Sequence, residues 1–107
     1  MISRIWYGWT TPHNAEAYES LLKTQIFPGI AARNIAGFRR IELFRRTAGD
    51  EVEFVTVMWF ASMEAVKAFA GEAWETAVVP PAARAVLKRF DATAKHYEVR
   101  EAKVAEP

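Results

Sequence analysis

Apolar and polar positions change period repeatedly along this chain, and each change marks an element. Ile2 to Thr10 (ISRIWYGWT) is rich in β-branched and aromatic residues and stops at Thr11-Pro12, which predicts a strand. Tyr18, Leu21, Leu22 and Gln25/Ile26 then recur at i, i+3, i+4 and i+7/i+8, the stripe of an amphipathic helix. Thr11 or Asn14 caps it, and Pro12 fits its first turn. Phe27-Pro28-Gly29 is expected to break this helix before one further helical turn, Ile30 to Arg33. Phe38 to Thr47 and Glu51 to Phe60 read as two strands of a hairpin closed by Ala48-Gly49-Asp50. Ser62 caps a second helix whose apolar face is Ala65, Val66, Phe69 and Ala70, ending at Gly71. Residues 72–79 show no clear period. Pro80-Pro81 opens a further helix with the stripe Ala83, Val86, Leu87 and Phe90, and Lys88 and Arg89 suit its C-terminal end. Thr93 to Arg100 is the last expected strand, and residues 101–107 read as a loose tail.

The order β-α-β-β-α-β is the split βαβ arrangement of the ferredoxin-like α+β class, a four-stranded antiparallel sheet with helices on one face. Residues 1–100 make a single domain on this reading. In it the first and last strands are neighbours. The strand Glu51 to Phe60 carries Phe54, Val55, Val57, Met58, Trp59 and Phe60, so it is apolar on both faces. Antiparallel sheets with one wet face alternate instead. Helices cover one face, so a second copy of the chain is expected to cover the other through a two-fold contact.

Composition narrows the function classes. The chain has 107 residues, 51% of them apolar and 25% charged, which suits one globular domain with its own core. It contains no cysteine, which removes disulfides, thiolate metal sites and thiol nucleophiles. Met1 to Thr10 has no apolar stretch of signal-peptide kind, and the run Val55 to Ala61 is far too short to span a bilayer. A soluble, cytoplasmic protein without a membrane partner is expected. The net charge of +1 gives no general basic excess for nucleic acid. Arg39, Arg40, Arg45 and Arg46 divide between the two faces of a strand around Glu42. The hairpin strand also lacks the glycine and basic residue of an RNA-recognition motif. No phosphate loop, HExxH or GxSxG occurs.

Acid–base chemistry must then draw on His, carboxylates, Tyr, Lys, Ser or Thr. Of the two histidines, His13 falls in the turn before the first helix, where a polar residue needs no function. His96 falls mid-strand beside Tyr97, either as a satisfied core residue or as a proton acceptor near neutral pH. Arg4 is on the neighbouring strand with Trp6. Arg4 either pairs with Glu98 or Glu53 at a sheet edge, or converges with Trp6 and His96 on a pocket, where it would hold a phenolate or enolate oxygen. Trp6, Trp59 and Trp74, with Tyr97, are the candidate walls for a flat aromatic ligand, against the alternative of core or interface packing. Glu42, Glu51 and Glu53 read as surface or edge charges.

These stretches together, Arg4-Ile5-Trp6-Tyr7-Gly8-Trp9-Thr10, Phe27-Pro28-Gly29-Ile30, Glu53 to Phe60 and His96-Tyr97-Glu98-Val99, resemble the antibiotic biosynthesis monooxygenases of the dimeric α/β-barrel superfamily. The resemblance implies two sheets closing face to face across a homodimer, with a cavity between sheet and helices in each subunit. It implies a cofactor-independent monooxygenase acting on an electron-rich aromatic or polyketide-like molecule, with His96 as base and Arg4 as anion holder. The superfamily also includes haem-degrading enzymes, whose pattern places an Asn on the first strand and a Trp and a His around the later helices. The Asn and the His are absent here: the first strand has no Asn, and no His occurs between Ser62 and Phe90. A non-catalytic ligand-binding or stress-associated dimer is the alternative.

Overall fold

The computed structural model describes residues 1–106. Strand β1 (Ile2–Thr10) lies at the centre of an antiparallel sheet and hydrogen-bonds along its whole length to β3 (Glu51–Phe60), with Arg4 opposite Met58 and Gly8 opposite Phe54. β3 pairs in turn with β2 (Phe38–Ala48) across the Gly49 turn, so the predicted hairpin is present. Ser62 caps α3 (Met63–Ala70) by accepting from the Ala65 amide at 3.3 Å.

Three expectations need correction. Phe27-Pro28-Gly29 does not break the first helix: α1 (Ala15–Leu21) runs through one wide turn, residues Leu22–Ile26, into α2 (Phe27–Ala32). In that turn the Phe27 amide reaches back five residues to the Leu22 carbonyl. Widening the helix there removes the clash that Pro28 would make with the preceding turn.

The last helix, α4, spans only Pro81–Val86, because Leu87 turns to extended backbone. Arg89–Phe90 instead forms a short strand, β4, against Gly8 and Trp9. Lys88 donates its amide to the Trp9 carbonyl at 2.8 Å and Asp91 to that of Tyr7 at 3.0 Å. The helical periodicity of Leu87 and Phe90 is overridden by the polar edge of β1, whose carbonyls require donors. Lys88 and Arg89 therefore sit at no helix end. They reach Glu51 at 3.0 and 2.9 Å.

The last strand, β5, spans only Lys95–Glu98 and pairs with Ile2 to Ile5 of β1. The sheet thus has five strands, with β4 and β5 sharing one edge of β1. Residues 101–106 are exposed and carry no regular structure.

Alternation along the strands sorts residues between two faces. Ile2, Arg4, Trp6 and Thr10 of β1 share the helix-covered face with Val52, Phe54, Thr56, Met58 and Phe60 of β3. Two buried clusters lie on it. One joins Phe54 and Val52 to Tyr18, Leu22 and Ala83 from α1, its wide turn and α4. The other joins Met58 and Phe60 to Val66 and Phe69 of α3. Gly37 permits the close approach of α3 to the start of β2: its φ is +87°, and a Cβ there would lie 2.7 Å from that of Ala65. No helix among the described residues is long and apolar enough to cross a membrane.

Candidate functional site

Between the two clusters the helix-covered face is incompletely filled. A half-open cleft remains, with an empty volume of about 540 Å³ counted to its mouth. Its enclosed interior is small, about 60 Å³. The void is a narrow slot rather than a chamber. Its floor is Arg4, Trp6, Thr56, Met58 and Ile41 from the sheet. Tyr18, Leu22, Ile26, Phe27 and Ile30 roof it on one side, and Val78, Val79 and Pro80 close it on the other.

Arg4 is the one charged residue on this lining, and it is only 4% exposed. Its guanidinium donates to the carbonyls of Trp74 and Thr76, the latter at 3.2 Å, and to His96 Nε2 at 2.9 Å. It also lies 5.5 Å from the Phe69 ring centre. All these partners are neutral. Burial alone lowers its pKa from 12.5 to about 10, so it remains a cation at neutral pH. A buried cation without an anion is costly, and a ligand anion would relieve that cost. The expected pairing with Glu98 or Glu53 is absent: Glu53 binds Arg46 at 2.9 Å, and Glu98 lies near Arg100.

The register does place His96 directly opposite Arg4, but His96 is not among the cavity-lining residues. Its Nε2 accepts from Arg4, which leaves the ring proton on Nδ1, buried and without a partner. Trp74 stands edge-on to the imidazole, ring centres 5.0 Å apart. Burial, and secondarily the Arg4 charge, lowers the His96 pKa below 6.5. His96 therefore stands behind Arg4, hydrogen-bonded to its guanidinium rather than facing the slot.

The four aromatic candidates divide. Trp6 lines the slot and is fixed by its Nε1 donating to the Asp91 carbonyl at 2.7 Å. Trp74 touches the site through its carbonyl and through His96, without lining the slot. Trp59 and Tyr97 lie on the opposite face of the sheet, for they neighbour Arg40 and Ser3 in register rather than the cavity row. Trp59 donates there to Glu42 at 2.8 Å. A two-residue period fixes this outcome: neighbours of Met58 and His96 must face the other way.

Sequence reasoning missed Tyr18 and Thr56. Tyr18 was legible only as one apolar position of a helical stripe, and its ring does pack edge-on to Phe54 at 4.9 Å. Nothing in that periodicity marks its hydroxyl. Among the described residues no group of three His, Cys, Asp or Glu side chains could hold a metal ion.

No protein-family model matches the chain, and no curated protein matches it in sequence. Solved structures match throughout its length. A Bacillus cereus protein assigned provisionally as an antibiotic biosynthesis monooxygenase superposes with a TM-score of 0.65 at 18% identity, over 97% of each chain. SnoaB, a cofactor-independent oxygenase from Streptomyces nogalater, gives 0.60 at 22% identity over 94% of this chain and 95% of its own. The haem degrader MhuD from Mycobacterium tuberculosis, with two haems in its active site, gives 0.59 at 24% identity over 97% and 100%.

Proposed function

We propose that this chain, which has the ferredoxin-like fold of the antibiotic biosynthesis monooxygenase-like proteins, binds a flat aromatic or polyketide-like anion in the slot and oxygenates it without a cofactor. The observation that carries the reading is the Arg4 guanidinium, buried on an apolar wall with neutral partners alone. A phenol or enol entering the slot gains most when ionised, because its oxygen then meets the unmatched charge in a low-dielectric site. Arg4 thus favours loss of the substrate's own proton. No carboxylate or imidazole lines the slot to take that proton, so it leaves through the open mouth to solvent.

The electron-rich carbon of the bound anion then reacts with dioxygen. A C–O bond forms to give a hydroperoxide. Protonation and loss of water break the O–O and C–H bonds. A CH2 becomes a carbonyl, one oxygen atom enters the product and the other leaves as water. Trp6, Leu22, Ile26 and Phe69 surround the bound anion with apolar side chains on the walls of the slot. His96 holds the guanidinium in place. The reading includes a homodimer through the open sheet face, where Phe44 and Tyr97 are 50% and 52% exposed. Haem does not suit the residues present: no histidine lines the slot, and the His96 Nε2 is engaged by Arg4.

A second reading, ligand binding without turnover, draws on the same absence of a base. Oxygen uptake against anthrones, naphthols and hydroquinones, with Arg4→Met and His96→Ala alongside, separates the two. The oxygenase predicts uptake that falls at least tenfold in Arg4→Met. Saturable binding of the same compounds, lost in Arg4→Met but without uptake, establishes the binding protein. Neither uptake nor binding overturns both.

A further inference from the structure

The slot holds a second polar group that no ion pair, hydrogen bond or catalytic assignment accounts for. Tyr18 is 1% exposed, yet its hydroxyl makes no hydrogen bond among the described residues. Three other polar side-chain atoms, Ser3 Oγ, Thr10 Oγ1 and His96 Nδ1, are sealed in protein without partners; the Tyr18 hydroxyl is not one of them. Tyr18 lines the cavity, which is the open space available to its side chain. Burial raises its pKa above the ordinary value, which keeps the phenol protonated and hence a donor.

The two polar groups sit toward different ends of the slot, Arg4 in its floor and Tyr18 in its roof. Arg4 is in register with Met58, and the Tyr18 ring rests on Phe54, four residues along β3. Those backbone rows are about 13 Å apart, a gap that both side chains shorten as they reach inward. Between them lie Trp6 and Thr56, opposite one another in register. One end of the slot thus offers a cation and the other a neutral donor, with the Trp6 and Thr56 side chains between them.

We propose that Tyr18 is a specificity-determining residue, and that the ligand is an elongated fused-ring molecule bearing an anionic oxygen at one end and a hydrogen-bond acceptor, such as a carbonyl or ether oxygen, at the other. This rests on the reading of Arg4 as an anion site and adds the requirement for the second oxygen. A ligand without it leaves a buried hydroxyl unsatisfied and is discriminated against for that reason.

Two near-isosteric probes test this, 6-methoxy-2-naphthoate and 6-ethyl-2-naphthoate, which differ in the remote acceptor alone. Their binding is followed by quenching of tryptophan fluorescence in the full-length protein and in Tyr18→Phe and Arg4→Met. The wild type is expected to prefer the methoxy compound by roughly fivefold, the worth of one net hydrogen bond. Tyr18→Phe is expected to erase that preference while the ethyl compound binds within twofold of wild type. Arg4→Met is expected to weaken both compounds together. Equal binding of the two probes by wild type, or a Tyr18→Phe variant that keeps the preference or loses both probes equally, overturns the role of Tyr18. If Arg4→Met leaves both affinities unchanged, or neither probe binds wild type, the anion site itself fails and this inference falls with it.

Discussion

Exposed and buried positions on the sheet treat arginine in opposite ways, and the division is not between its faces: Arg45, on the helix-covered side in register with Phe54, meets Glu16 at 2.7 Å and Glu19 at 3.0 Å. On the open face each of several guanidiniums has a carboxylate at hand: Arg46 with Glu53, Arg89 with Glu51, and Arg40 with Glu42 at 3.2 Å. Arg89 also lies 3.8 Å from the Trp9 ring centre. On the helix-covered face Arg4 has carbonyls, an imidazole and a phenyl ring. The exposed pairs face water that already solvates them, so each contributes little to stability. Arg4 has given up its hydration and gained no countercharge. An apolar side chain at that position would avoid this cost, which is why the anion-site proposal rests on Arg4.

Breaking the open face should give the largest effect. Phe44→Glu places a carboxylate within the proposed dimer contact, and the dissociation constant is expected to rise at least about 100-fold, on the scale of a buried unpaired charge. Sedimentation velocity reads it directly. A variant that still sediments as a wild-type dimer removes this face from the interface, and a monomeric wild type removes the dimer.

The contrast between buried and exposed arginine is sharpened next by Arg4→Met. The substitution orphans the Trp74 and Thr76 carbonyls, at about 1–3 kcal/mol. It also relieves a buried charge, which in other proteins is neutral or stabilising when an apolar side chain of similar size replaces it. The two effects offset, so thermal stability is expected within about 1–2 kcal/mol of wild type. A loss above roughly 4 kcal/mol would make Arg4 a structural clamp on residues 74–76 instead.

The smallest effects are in pH dependence, and the buried and exposed pairings titrate in different windows. His96 has its pKa lowered below 6.5, so its contribution is complete above that value and is lost as the pH falls through its folded pKa. Protonation also sets two cations against each other and should weaken ligand binding in the same window. His96→Gln removes both dependences. Glu51, held down to about 2 by Arg89 and then Lys88, gives a contribution that is complete above 4.5 and is lost as the pH falls toward 2. Glu51→Gln should flatten only that lower window. Denaturation midpoints from pH 2 to 8 distinguish them, and identical profiles for all three proteins would show that neither pairing matters.

How far the sequence reached differs between strands and site. β1 and β3 were legible to the residue, because aromatic and β-branched runs bounded by Pro12, Gly49 and Ser62 admit few alternatives. Pro28 was misleading, because a helix can absorb a proline by widening one turn, and that choice depends on what the flanking turns pack against. Leu87 and Phe90 matched a helical stripe, yet the free edge of β1 took that segment into the sheet.

Local periodicity thus determined the fold class, the order of the main elements other than β4, and the adjacency of the first and last strands, since each depends on neighbours within a few residues or on the topology they imply. Only the tertiary structure decided that Arg4 is buried without an anion, that His96 stands behind it rather than in the slot, that Trp59 and Tyr97 face away, and that Tyr18 lines the slot. Those outcomes depend on strand register and on helices packed across the sheet. A shift of one residue in register would have reversed every one of those facings on the shifted strand.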